Sequence, residues 1–131
     1  MLLFVAAMGK AQDQSGSSPG KVAIPAEGKK VYEQICQACH MADAKGSGSA
    51  GGIPALANNP RLADPKYPIT MLQKGRGGMP WFTDLLTPAQ MAAVVTYVRS
   101  HFNNYPDPVT EADVKKLATK PPVSEGCECT E

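Results

Sequence analysis

The stretch Ile35-Cys36-Gln37-Ala38-Cys39-His40-Met41 decides how this chain is read. It gathers two of the four cysteines and one of the two histidines of a 131-residue chain into five consecutive positions. Four chemistries compete for such a cluster: a redox dithiol, a zinc site, a plain disulfide and covalent attachment of a porphyrin. The spacing Cys-x-x-Cys-His is the attachment signature of a c-type haem. Two thiols about one helical turn apart can add to the two vinyl groups along one porphyrin edge, and the adjacent His can turn its ring to the iron. A redox dithiol wants a thioredoxin-like βαβ setting, and the chain has no β-pattern of any length. A zinc site wants a second ligand pair. His101, Cys127 and Cys129 offer one, but their spacing matches no zinc pattern. A disulfide leaves His40 without a role and strains so short a loop.

Composition supports a bound staple. The length argues for one domain, and 43% hydrophobic with 19% charged residues fits a globular chain. Twelve Pro and twelve Gly imply much irregular backbone and short helices. A small domain with long loops buries little apolar surface and needs a disulfide, metal or cofactor to complete it. The formal net charge of +1 supplies no basic field, so nothing argues for nucleic acid.

The N-terminal run Met1 to Met8 is apolar but too short to span a bilayer. It reads as the apolar part of an export signal, with Gly9-Lys10-Ala11 giving small residues at the cleavage spacing, although no basic leader precedes it. Residues 1–11 are therefore read as the remnant of a signal and 12–24, rich in Gly and Ser, as a flexible leader. The domain is placed at 25–105, in three to five short helices of an all-α fold. Pro25 to Cys39 reads as helix, with Val31, Ile35 and Ala38 on one face. Ala44 to Gly52 is a low-complexity loop, and Pro54, Pro60, Pro65 and Pro68 keep the next stretch irregular before a short helix from Ile69 to Lys74. Thr87 opens the clearest helix, with Pro88 at its first position and Gln90 completing a capping box. Met91, Val94, Val95, Val98 and Phe102 form its apolar face. Thr110 to Ala118 reads as one more short helix, with Asp113 three residues after the Thr110 cap. Residues 106–131 are taken as an extension too poor in apolar residues to make a core of its own, suited to wrapping a partner subunit. Cys127 and Cys129 near its end suit a disulfide to each other or to a partner, since free thiols are unusual in an oxidising compartment.

A second axial ligand is needed if the iron is to be six-coordinate. Met1 and Met8 lie in the leader, Met41 follows His40 too closely to reach the other face, and Met71 and Met91 sit at helical spacing and read as core. Met79 sits in Gly77-Gly78-Met79-Pro80, where backbone can approach a flat ligand. His101, late in its helix, is the rival, but surface capping explains it as simply.

With these residues placed, the chain resembles the class I monohaem cytochromes c over about Ala26 to Asn104. It is most similar to bacterial periplasmic members that are cytochrome subunits or partners of dehydrogenases. Gly75-Arg76-Gly77-Gly78-Met79-Pro80-Trp81-Phe82 matches the family's ligand loop, Gly-x-Gly-x-Met-Pro-x-Phe. Gly28 and Tyr32 match the small and aromatic positions of the first helix, and Val94 and Tyr97 match the last-helix positions that cross them. Pro54 and Leu56 match the Pro-x-Leu whose Pro carbonyl accepts the proximal His Nδ1–H. The Gly/Ala/Ser-rich loop at 44–52 and everything after Pro106 depart from the family pattern.

The resemblance implies a cytochrome c fold wrapped around one haem c, attached through Cys36 and Cys39 and ligated by His40 and Met79. It implies a periplasmic one-electron carrier that takes electrons from a dehydrogenase and passes them to an oxidase or reductase. Ile53, Met71, Trp81 and Phe82 would ring the exposed haem edge as a small docking patch for such redox partners, and Lys29, Lys30, Lys45, Lys66 and Lys74 are candidates to surround it. The sequence offers no catalytic group and no membrane span. Two other readings use the same residues. One is a haem enzyme or gas sensor in which Met79 dissociates, although no distal acid or base is evident. The other is a haem-free protein using Cys36 and Cys39 for redox or metal chemistry.

Overall fold

The computed structural model describes residues 26–48 and 52–118. The expected signal remnant, the leader and the Cys127/Cys129 tail lie outside the described residues. Helix α1 (Gly28–Val31) runs through a π-helical turn (Tyr32–Cys36) directly into α2 (Gln37–His40). The Gln37 N–H reaches back to the Tyr32 carbonyl, five residues away. The run ends because Met41 takes φ 69° and ψ 165°, which no helix continues. A 3₁₀ turn (Pro60–Ala63), α3 (Lys66–Lys74), α4 (Pro88–His101) and α5 (Glu111–Lys116) follow, and no strand occurs among the described residues. This is the expected all-α architecture.

Local chemistry sets the boundaries. Asn59 Oδ1 accepts from the Arg61 N–H and starts the 3₁₀ turn. Helix α3 begins three residues before the expected Ile69. Pro68 does not break it, because it falls in the first turn, where backbone N–H groups have no intrahelical partner. Thr87 and Gln90 form the expected reciprocal box, at 3.2 and 2.9 Å, and Thr110 with Asp113 forms a second at the head of α5.

Helix α4 is the centre of the molecule. Met91, Val94, Val95 and Val98 are all buried, as their spacing predicts, and Phe102 is half-buried. The α1–α2 run crosses α4 on one side, where Val31 and Tyr32 lose nearly all exposure. Tyr32 packs its ring 5.8 Å from Tyr97 and 5.1 Å from Phe102. At the close crossing Gly28 abuts the Ala93 carbonyl and Tyr97 Cβ, so Ala93 rather than Val94 sets the approach.

Residues 107–118 depart from expectation. Val109 and Val114 are buried in the same core, and α5 packs on α4. Thr96 Oγ1 accepts from the Val109 N–H at 2.9 Å, and Gln73 Nε2 donates to the Val114 carbonyl at 2.9 Å. Two well-placed valines suffice because backbone and amide hydrogen bonds do the rest, which a count of apolar residues misses. Through Ala118 this segment is part of the domain, not an appendage to it.

Arg99 makes the same point. It is 4% exposed, and its guanidinium donates to the carbonyls of Leu62 (2.9 Å), Ala63 (3.1 Å) and Asp107 (2.7 Å). The fork thus joins the 3₁₀ turn to the approach to α5. An Arg99→Met chain keeps the apolar stem but leaves three carbonyls without their donor. Its urea midpoint is expected to fall by the equivalent of about 2–4 kcal/mol with the slope unchanged.

Candidate haem-binding site

The π-turn and α2 place Cys36, Cys39 and His40 along one stretch of helix, five residues from first to last. Cys36 is half-buried, Cys39 is exposed, and both are free thiols. Burial, and secondarily the neighbouring Cys39, pushes the Cys36 thiol up to about 11. Redox dithiols work through a depressed thiol, so this setting argues against that reading. Among the described residues no three His, Cys, Asp or Glu side chains converge to hold a metal ion; Cys127 and Cys129, two of the ligands a zinc site would draw on, lie outside the described residues.

His40 is 8% exposed, and its Nδ1 lies 3.1 Å from the Pro54 carbonyl. A carbonyl only accepts, so Nδ1 carries the proton and Nε2 keeps its lone pair for a ligand bond. Burial lowers the His40 pKa, opposed by that backbone bond, and the neutral imidazole is the form a metal takes. The Pro54 and Leu56 stretch is held by its own wiring. Leu56 N and Ala57 N both donate to the Ala44 carbonyl, at 2.7 and 3.0 Å, and Gly46 N donates to the His40 carbonyl at 3.0 Å. The low-complexity loop is therefore pinned where it meets the histidine.

Tyr32 is a site residue that sequence reading assigned only to helix crossing. Its hydroxyl donates to the Met41 carbonyl at 2.7 Å, steadying the positive-φ reversal directly after His40. Its phenol is pushed up to about 12, by burial first and then by Cys36, Tyr97 and Asp43. The folded chain therefore holds this proton more tightly than the unfolded chain. That stability is complete below the unfolded value near 10 and drains away as pH rises from 10 through 12. Thermal unfolding between pH 8 and 12 checks this. In Tyr32→Phe the alkaline loss shrinks, and the midpoint at pH 8 drops by the worth of one hydrogen bond, about 1 kcal/mol.

Met79 sits in a tight turn rather than shapeless loop. Arg76 N donates to the Met79 carbonyl at 2.9 Å and Met79 N returns to the Arg76 carbonyl at 3.0 Å. Gly77 takes φ +56° at the first central position, as a type II′ turn requires. Gly75 ends α3 at φ +67°, and a Cβ there would stand 2.6 Å from the Met79 carbonyl and 2.8 Å from the Pro80 carbonyl carbon. The motif's first glycine is thus demanded by the backbone around Met79. Phe82 N donates to the Leu72 carbonyl at 2.7 Å and closes the arm back onto α3.

Cys36, Leu56, Met79 and Phe82 are all partly buried against one core cluster. Trp81 stands apart at 41% exposed, its Nε1 donating to Asp84, while Ile53 and Met71 are half-buried. Among the described residues Met41 and Leu85 are the other exposed large apolar side chains. His101, the rival ligand, stacks on Tyr97 at 4.8 Å with its ring edge-on to Phe102. Lys29, Lys30 and Lys45 pair with Glu33, Glu27 and Asp43 on the surface, where such pairs contribute little. These residues fit a haem by their chemistry: two unpaired thiols, a tautomer-locked imidazole and a half-buried thioether on a fixed turn.

Residues 23–98 match the family model described as Cytochrome C oxidase, cbb3-type, subunit III. The chain is also 35% identical over 106 residues to the alcohol dehydrogenase (quinone) cytochrome c subunit of Gluconobacter oxydans. It is 33% identical over 112 residues to the subunit of the same description from Gluconacetobacter polyoxogenes. These alignments cover 70% and 74% of this chain but only 22% and 24% of those relatives.

Proposed function

The chain belongs to this cytochrome c family, and from that premise we propose that it carries single electrons through one haem c bound at Cys36, Cys39, His40 and Met79. Electron transfer itself follows from the family and from relatives that are cytochrome subunits of a dehydrogenase. We infer further that the haem is single and covalently attached and that the protein works in the periplasm. The observation that carries the proposal is the His40 Nδ1–H held on the Pro54 carbonyl, which leaves Nε2 as the ligand atom.

When bound, the haem supplies a one-electron iron couple. The chain's own residues do the rest. Cys36 and Cys39 would hold the porphyrin by adding their thiols to its vinyl groups. Pro54 and Tyr32 hold His40 and the bend after it. Met79 offers a soft thioether, and a His/Met pair raises the potential relative to two imidazoles. With His40 and Met79 both holding the iron, no position would be left for a substrate. The partner that best fits is a dehydrogenase as donor, with an oxidase or reductase as acceptor, meeting the Trp81 and Phe82 side in a small transient interface. No helix among the described residues is long and apolar enough to cross a membrane.

The test is an absorption spectrum of the purified holoprotein, oxidised and reduced, with carbon monoxide added to the reduced form. A low-spin c-type spectrum with a ferric sulfur–iron band and no response to carbon monoxide supports the carrier. A ready shift with carbon monoxide moves the reading to a sensor or enzyme with a dissociable Met79. Failure of the haem to stay with the denatured polypeptide rules out attachment at Cys36 and Cys39.

A further inference from the structure

Away from the haem residues, two buried polar atoms lack a hydrogen-bond partner among the described residues: Gln73 Oε1 and Thr83 Oγ1. Gln73 is only 3% exposed. Its amide orientation is fixed by chemistry, because the Val114 carbonyl at 2.9 Å can only accept and so must face Nε2. Oε1 is then a buried acceptor in need of a donor. Leaving such a group dry is costly, and native interiors seldom do it.

Gln73 and Thr83 both line one cavity of about 110 Å³, partly open to solvent, together with Leu86, Met91, Val114 and Lys115. That is room for several waters, since one needs roughly 10–15 Å³ of such space. Cavities lined only by hydrocarbon stay dry, whereas those with polar partners hold ordered water. Here the polar pair is an acceptor from α3 and a hydroxyl from the turn four residues after Met79, facing α5 and the start of α4. A hydroxyl-bearing guest of water's size donates to Gln73 Oε1 and either donates to or accepts from Thr83 Oγ1.

We propose that this cavity is a specific water site, in which ordered water joins Gln73 Oε1 to Thr83 Oγ1 and ties α3 and α5 to the arm that carries Met79. Gln73 and Thr83 are positioning residues on this account. The amide grips α5 with its nitrogen and the Met79 arm, through water, with its oxygen. The site is independent of which group the iron ligands hold.

A crystal structure of the full-chain holoprotein at high resolution tests it directly. Water density within about 3 Å of both atoms is expected. A residue of 119–131 filling the cavity, a direct Gln73–Thr83 bond or an empty cavity overturns the proposal. A double-mutant cycle tests it in solution. Thr83→Val conserves shape and should lower the thermal midpoint by roughly 4–8 °C, and Thr83→Ser should restore most of the loss. Combined with Gln73→Leu, the two losses should be clearly less than additive, because each single change already breaks the shared bridge. Additive losses, or a Thr83→Val midpoint equal to wild type, overturn it.

Discussion

A Gly28→Ala chain should unfold far more readily than its parent, losing at least about 3 kcal/mol by urea titration of the holoprotein. Two effects oppose each other. Alanine is the better helix former by up to about 1 kcal/mol, and on propensity alone the change would stabilise. Packing decides otherwise. A Cβ on Gly28 would stand 2.1 Å from the Ala93 carbonyl oxygen and 2.6 Å from its carbon. Both are backbone atoms of α4, so no rotamer relieves the clash, and α1 must lift from α4 by the better part of an ångström. That opens the seam closed by Val31, Tyr32 and Val94, each at most 2% exposed. A midpoint equal to or above the parent's would show that α1 and α4 do not cross this closely.

Replacing Met79 with Ala should have the largest effect on function. The turn that carries it is held by reciprocal Arg76–Met79 backbone bonds and by the Phe82–Leu72 bond, none of which uses the Met79 side chain. The fold should therefore survive while the thioether is lost. The reduced holoprotein is then expected to bind carbon monoxide readily, and the ferric sulfur–iron band to vanish. The reduction potential should fall by a sizeable part of the ~0.8 V that axial ligands command across haem proteins. Met79→His should close the site again at a low potential, since a second imidazole favours the oxidised iron. If Met79→Ala leaves spectrum and potential unchanged, another residue holds that face and the assignment of Met79 is wrong.

Much of this was legible because the signals were local. Cys36-x-x-Cys39-His40 is a spacing, the Thr87–Gln90 and Thr110–Asp113 boxes are spacings, and the α4 face is a period. What was not legible was non-local. Pro68 read as a breaker because its place within α3 depends on where the helix starts. Nothing in the sequence singles out Arg99 or Gln73, yet each is buried because its partner is a backbone carbonyl elsewhere in the chain, from Leu62 to Val114. No side-chain pattern announces a carbonyl acceptor. For the same reason the segment after Pro106 looked too polar to pack. The Tyr32–Met41 bond, nine residues apart, links a helix to the bend beyond it and leaves no periodic trace.

The docking of α5 also says where this module can be cut and spliced. A joint placed after Asn104, where the haem-fold pattern ends, would strip Arg99 of the Asp107 carbonyl and Gln73 of the Val114 carbonyl. It would also uncover the patch of α4 that Val109 and Val114 shield. A transplant of this unit into a longer electron-transfer chain, or a reporter fused to its end, should carry the polypeptide at least through Ala118. A cut at Asn104 cannot then serve as a clean deletion of a partner-binding tail, because it injures the cytochrome before any partner is met.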